Sequence, residues 1–282
     1  MSKLWLARWA IAATSVLREA AGGVVALAFP DDCRVCGRPL EEPLRIPLCV
    51  ACLASFQRIR EPLCGVCGRP LVAGAHFSAI GPRCRLCRPG ESPGTYSFDC
   101  ARSYAVYNEA LLRTIALLKH QAMRPLAGWF GERLAEMVRS EPRIPAPTVV
   151  VPVPLHPDRL RERGFNQAEL LARAVARRLD LPLKTRALER RRPRPPQRRL
   201  SRHERWQAAR GAYAAVTGTQ FDNHTVLLVD DVFTTGATLD ACTRALRAAG
   251  AASVAALTVA RVVDAGSGPV SAAQGPGDFG RR

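Results

Sequence analysis

Acidic residues are in short supply in this 282-residue chain: 24 Asp and Glu stand against 41 Lys and Arg, a formal charge of +17. A surplus of that size favours polyanionic partners such as nucleic acid, phosphorylated metabolites or an anionic membrane surface, and it leaves the fold open. A long unbroken apolar run is also lacking. Residues 4 to 29 come nearest, but Arg8, Arg18 and Glu19 interrupt them. Ala26-Leu27-Ala28 has the look of a signal-peptidase site, yet the interruptions leave no clean apolar centre for a signal peptide and no transmembrane segment. Two glycine-rich signatures are missing as well. Without G-x-G-x-x-G there is no dinucleotide fingerprint, and without the Lys-Ser/Thr pair of a P-loop there is no cradle of that type.

What is present divides the chain into four parts. Residues 1–30 read as an amphipathic leading helix, with Trp5, Trp9, Val16 and Leu17 on one side and Pro30 at its end. Packing on the protein itself is its expected role, and docking on a membrane surface is the alternative. Residues 31–90 are rich in Cys, Gly, Pro and Arg and hold too few large hydrophobes for a core, so they need a staple. A Pro/Gly/Ser linker, Pro89 to Gly94, leads into residues 95–264. The tail, 265–282, is Gly-rich and expected to be disordered.

Eight of the ten cysteines form four C-x-x-C pairs: Cys33/Cys36, Cys49/Cys52, Cys64/Cys67 and Cys84/Cys87. Two thiolates at this spacing fold around a tight turn and grip one metal ion. Two such grips complete a closed four-sulfur site, the structural kind of zinc site. Cys33-Arg34-Val35-Cys36-Gly37-Arg38-Pro39-Leu40 recurs as Cys64-Gly65-Val66-Cys67-Gly68-Arg69-Pro70-Leu71, seven positions of eight unchanged. The repeat implies sequential modules and two zinc ions, the first pair with the second and the third with the fourth; interleaved pairing stays open. Redox pairs would normally be single and open a thioredoxin-like helix. His76 is expected at the surface, and Cys100 and Cys242 as small hydrophobes. Thiolates kept for zinc imply a reducing compartment, hence a cytoplasmic protein. Arg34, Arg38, Arg69 and Arg85 flank the knuckles and offer a contact for nucleic acid, with a stapled interaction surface as the alternative.

The third part alternates strands and helices. The pattern predicts a strand near Ser103–Tyr107, helices over Glu109–Gln121 and Leu126–Ser140, and a strand over Val149–Pro152. A helix over Gln167–Leu179 follows, then an arginine-rich loop from about Glu189 to Arg205. A strand over Thr225–Val229, a helix from about Ala237 to Ala249 and a strand over Val254–Val259 complete it. Such an order makes an α/β fold with a parallel sheet covered on both faces.

The sharpest motif runs from Val226 to Thr238. An apolar strand delivers Asp230 and Asp231, then Thr234-Thr235-Gly236-Ala237-Thr238 opens a helix. Backbone N–H groups of Thr234 to Thr238 can converge on a 5′-phosphate at the helix N-terminus, with the threonine hydroxyls as further donors. Gly236 lets the backbone approach closely. Asp230 and Asp231 are placed to accept hydrogen bonds from ribose hydroxyls, at the strand end where parallel sheets bind ligands. A plain strand–turn–helix is the simpler alternative, but it leaves the coincidence of acids, threonines and glycine without a reason.

These residues resemble the PRPP-binding loop of type I phosphoribosyltransferases. A second block, Pro152-Val153-Pro154-Leu155-His156-Pro157 followed by Arg159, Arg161 and Arg163-Gly164-Phe165-Asn166-Gln167, resembles the hallmark of the ComF family. That family joins a double zinc ribbon to a phosphoribosyltransferase domain and is associated with DNA uptake. The resemblance covers roughly residues 29 to 263. It implies a type I phosphoribosyltransferase fold behind the ribbon, with Val153 to Arg163 as the pyrophosphate-binding loop. Arg161 and Arg163 would meet the pyrophosphate, Lys119 would match a lysine after the first helix, and the loop around Gln197, Leu200 and Arg205 would form the lid. The family's Asn three residues after that Arg is replaced by Ala208. The implied reaction displaces pyrophosphate from PRPP with Mg²⁺ as charge neutraliser and with Asp230 and Asp231 as the catalytic carboxylates; no general base can be named. The expected context is DNA uptake or processing, or nucleoside metabolism. The rival is a non-catalytic module for single-stranded nucleic acid on the same fold. Nine arginines lie between Arg186 and Arg205 against Glu189 and Glu204, able to clamp pyrophosphate or to track a nucleic-acid backbone.

Overall fold

The computed structural model describes residues 32–40, 46–71, 76–78, 81–88, 96–192 and 201–263. The expected leading helix, the linker, the middle of the arginine-rich loop and the tail lie outside them.

The cysteine-rich part carries α1 (Val50–Ala54), β1 (His76–Ser78), β2 (Gly81–Arg83) and a 3-10 turn at Arg85–Cys87. The sequence repeat is also a repeat of backbone geometry. Cys33 N–H donates to Arg38 O at 2.8 Å and Cys64 N–H to Arg69 O at 2.8 Å. Gly37 and Gly68 both take positive φ, 72° and 66°, which is why glycine follows the second cysteine in each copy.

The rest comprises β3 (Cys100–Val106), α2 (Glu109–His120), α3 (Arg124–Ser140), β4 (Val149–Pro152), α4 (Pro157–Arg163), α5 (Gln167–Leu179), β5 (Leu188–Arg190), α6 (Arg202–Ala209), β6 (Tyr213–Ala215), β7 (Thr225–Phe233), α7 (Ala237–Ala248) and β8 (Ser253–Arg261). Strands β3-β8-β7-β4 form one parallel sheet in that order. Its strands are apolar on both faces, as a sheet covered twice requires. Val149, Val151, Val226, Leu228, Val254 and Ala256 point to one side, among residues of α6 and α7. Val150, Leu227, Val229, Ala255, Leu257 and Val259 point to the other, among residues of α2, α3 and α5. Asn108 and Asn166 cap α2 and α5 through their side chains, satisfying N–H groups that the helix leaves open.

The two knuckles join opposite faces of this sheet. Cys33, Val35, Cys52 and Phe56 belong to the core on the α2–α3–α5 side, whereas Cys64, Val66, Cys67, Cys84 and Cys87 belong to the core on the α7 side. Between them the chain runs along the free edge of β3: Ile59 N–H donates to Tyr104 O at 3.0 Å, and Val106 N–H to Gln57 O at 2.8 Å. The edge is thereby paired rather than left open.

Three local expectations change. The segment expected as a pyrophosphate-binding loop is helical from Pro157, started by proline and the His156 side chain and stopped by Gly164 at φ 77°. Strand β7 runs through both acids to Phe233, because Asp230 pairs with Thr258 and Val232 with Ala260 of β8. The loop expected to end at Arg205 turns helical at Arg202, where Ser201 and Glu204 form a capping box. No helix among the described residues is long and apolar enough to cross a membrane.

Candidate functional site

The cysteines gather into two groups, Cys33/Cys36/Cys49/Cys52 and Cys64/Cys67/Cys84/Cys87, with the sulfurs of each group all within 4.8 Å of one another. Sulfur–sulfur separations are 3.7 Å for Cys33–Cys52, 3.7 Å for Cys36–Cys49 and 3.6 Å for Cys67–Cys84. Tetrahedral zinc with bonds of about 2.3 Å places its sulfurs about 3.8 Å apart, whereas a disulfide needs about 2.05 Å. All eight thiols are free. Four clustered sulfurs cannot all ionise without a cation. Hydrogen bonds from Cys67, Cys84 and Cys87 drive the Cys64 thiol far below its ordinary value, while Cys64 and Cys67 drive Cys84 and Cys87 far above theirs. Donor type, number and spacing fit two structural zinc ions, paired in sequence order. Cys100 and Cys242 are buried free thiols outside both groups; burial pushes Cys100 up to about 11.

The second centre lies at the end of β7. Asp230 and Asp231 are both buried. Burial, then the neighbouring charge of Asp231, pushes the Asp230 carboxyl up to about 8. Asp231 N–H donates to Asp230 Oδ1 at 2.8 Å. Lys119, in the last turn of α2, brings its Nζ to 2.7 Å from Asp231 Oδ2. The approach gives an ion pair by distance but not an aligned hydrogen bond, so Oδ2 keeps lone-pair capacity for a ligand.

Beyond Phe233 the chain turns through Thr234, exposed, and Thr235, half-buried, into α7. Gly236 occupies the N-cap at φ 82° and has no side chain with which to cap the helix. The N-terminal dipole end of α7 is thus open to an anion. Thr235 Oγ1 takes a long bond, 3.4 Å, from Ala237 N–H. The loop is held from below: Tyr96 OH donates to Thr235 O at 3.0 Å, and a Cβ on Gly236 would stand 2.5 Å from Tyr96 Cε1 and 2.8 Å from Phe233 Cζ. Thr238 lies within hydrogen-bond reach of the Tyr213 phenol, which burial pushes above its ordinary value. Arg190 stacks over the Tyr213 ring at 5.3 Å, so the paired strands β5 and β6 stand beside the loop.

Lys119, Asp230, Asp231 and the stretch from Thr234 to Thr238 therefore share one end of the sheet. Arg161 and Arg163 do not join them by any contact among the described residues. Arg161 pairs with Asp158 on its own helix, and Arg163 donates to Gln167 Oε1 at 2.6 Å. Sequence reasoning missed Tyr96, Phe233, Arg190 and Tyr213 as neighbours of the loop. Asn166 has a second duty: its Nδ2 donates to Val153 O at 2.9 Å while Val153 N–H donates to Val229 O at 2.9 Å, tying the Arg-Gly-Phe-Asn-Gln segment to the central strands.

Comparison with known proteins agrees with this layout. The family described as a double zinc ribbon domain matches residues 24–88, and the phosphoribosyl transferase domain family matches residues 166–271. Competence protein F of Haemophilus influenzae is 32% identical over 228 residues, covering 76% of this chain and 96% of that protein. Competence protein ComFC of Bacillus subtilis is 28% identical over 217 residues, 76% of this chain and 84% of that protein. DNA utilization protein YhgH of Salmonella typhi is 29% identical over 231 residues, 81% of this chain and 96% of that protein. A double zinc ribbon ahead of a phosphoribosyltransferase fold, together with matches spanning nearly the full length of these relatives, shows that the chain belongs to the ComF family.

Proposed function

We propose that this protein binds 5-phosphoribosyl 1-pyrophosphate (PRPP), or another ligand ending in a 5-phosphoribosyl group, at the loop Thr234–Thr238, and that it serves DNA uptake or processing in a reducing compartment such as the cytoplasm. The observation that carries the reading is the juxtaposition of two buried carboxylates with an uncapped helix N-terminus at the end of one central strand. The loop amides and the hydroxyls of Thr234, Thr235 and Thr238 hold the 5′-phosphate. Asp230 and Asp231 accept from the ribose hydroxyls. Lys119, which neutralises Asp231 without ligand, faces the ligand's anionic groups. Arg161 and Arg163 reach the pyrophosphate by giving up their local partners. Mg²⁺ neutralises the pyrophosphate when bound; the residues around the loop fit it in that Asp231 Oδ2 retains lone-pair capacity. Ligand binding is the activity proposed. Calorimetry with Mg²⁺ and PRPP tests it: saturable binding is expected in the parent and none in Asp230→Asn/Asp231→Asn, and equal affinity in both proteins overturns the site.

A second reading is favoured by the exposed Arg191 and Arg192 beyond β5 and by the names of the relatives, which speak of competence and DNA utilization. Here the arginine-rich segment contacts single-stranded DNA, and the phosphoribosyl site receives its 5′-phosphate end. The two readings share the loop Thr234–Thr238.

A further inference from the structure

Arg261 ends β8 and is 1% exposed, the largest fully buried side chain among the described residues. Nη1 donates to Cys67 O, and Nη2 to Cys67 Sγ at 3.4 Å. Its Nε has no partner, and among the described residues no carboxylate pairs with it. A buried guanidinium without a counter-charge is strongly disfavoured. Four thiolates around Zn²⁺ carry a net charge of −2, so the loaded second cluster supplies the missing partner.

The other side of Arg261 faces the phosphate loop. Its guanidinium carbon lies 4.0 Å from the centroid of the Phe233 ring, and the two residues are register partners on adjacent strands. Phe233 immediately precedes Thr234, and its ring backs Gly236 so closely that a methyl group there would collide with it. Tyr96, which holds Thr235 O, packs edge-on against the same ring at 5.9 Å. A continuous line of contacts thus runs from Cys67 Sγ through Arg261 and Phe233 to the turn that opens α7. The first cluster makes its connections elsewhere: Arg113 donates to Val35 O at 3.0 Å, and Phe56 packs on Trp129 and Phe130, all on the opposite face of the sheet.

We propose that Arg261 is a positioning residue that couples metal occupancy of the second cysteine cluster, and not of the first, to the shape of the phosphate loop. With zinc present, the guanidinium is neutralised and pinned, and Phe233 is held under Gly236. Without it, Cys67, which holds the guanidinium through its carbonyl and Sγ, is no longer fixed by the metal, and the floor of the loop loosens. The consequence for affinity rests on the PRPP reading above; the coupling itself does not.

The test uses the full-length, zinc-loaded protein. Zinc is drawn off by a chromophoric chelator while amide hydrogen exchange is followed in peptides covering 34–37, 64–68 and 233–239; the first two identify which site empties. Exchange at 233–239 is expected to rise about tenfold when the second site empties and to stay constant when the first does. Arg261→Met should release zinc from the second site about tenfold faster and weaken Mg²⁺-PRPP binding about tenfold, with Arg261→Lys in between. Phe233→Leu, which cuts the line beyond the arginine, should loosen the loop while leaving zinc release at the parent rate. Loop exchange indifferent to the second zinc overturns the coupling, and this measurement on the parent stands even where Arg261→Met does not fold. Failure of PRPP to bind the parent while loop exchange still follows zinc removes the proposed ligand and leaves the coupling intact.

Discussion

Asp230 sits in an environment far from ordinary for a carboxylate. Its carboxyl titrates near 8 in the folded chain, from burial first and the Asp231 charge second, against about 3.9 when unfolded. Between those values the native state binds the extra proton. Stability is therefore full at low pH and falls as pH rises from about 4 to about 8. Asp230→Asn, which resembles the protonated form, should flatten that decline and leave the unligated protein more stable than the parent at pH 8; urea unfolding at pH 5 and pH 8 measures both. A parent whose stability rises across this window would contradict the assignment. At Gly236 the constraint is steric. Its φ of 82° and the closeness of Tyr96 and Phe233 predict that Gly236→Ala costs about 2 kcal/mol or more and abolishes phosphate binding, read by thermal unfolding and calorimetry.

Among elements, the two knuckles offer a paired comparison. Gly37 and Gly68 occupy the same repeat position with nearly the same φ, but a Cβ on Gly37 meets nothing within 4 Å, whereas one on Gly68 would lie 2.3 Å from Ala101 O of β3. Gly37→Ala should cost about 1 kcal/mol, and Gly68→Ala about 3 kcal/mol; equal losses in thermal unfolding would mean that the second knuckle is not seated on the sheet as described. The sequence repeat announces the shared turn but not this difference, which depends on what each copy docks against. The same limit explains which elements were legible. Val149–Pro152 and Gln167–Leu179 follow from apolar runs and caps that lie within the segment. Asp230 and Asp231 break the apolar run of β7, and only pairing with β8 keeps them in the strand. Helix α4 reads as a loop because its seven residues carry three arginines and no buried side chain. The arginine-rich segment has its own test. If it tracks a nucleic-acid backbone, single-stranded DNA binding weakens with a log–log salt slope of about −0.7 per phosphate contacted. Changing Arg190, Arg191, Arg192, Arg194, Arg198 and Arg199 to Ser should flatten that slope with little change in stability. An unaltered slope assigns DNA contact elsewhere.

At the scale of the whole molecule, the cysteine-rich part is structurally continuous with the sheet: each cluster supplies side chains to one of its two cores. Elemental analysis of protein purified under reducing conditions should find two zinc ions per chain, and a chelator strong enough to strip both should unfold the knuckles. The two four-cysteine clusters were legible from four C-x-x-C pairs, and the turn that opens α7 from one contiguous motif. The joins between them were not. Tyr96 to Thr235 and Cys67 to Arg261 span 139 and 194 positions, and no local pattern reports such a contact. The central claim remains that the two carboxylates and the open helix end form a phosphoribosyl site. Calorimetric titration of Mg²⁺-PRPP into the parent and into Asp230→Asn/Asp231→Asn, both zinc-loaded and folded by circular dichroism, tests it most directly. The account predicts one site per chain in the parent and no detectable heat in the variant; full binding by the variant, or none by the parent, would contradict it.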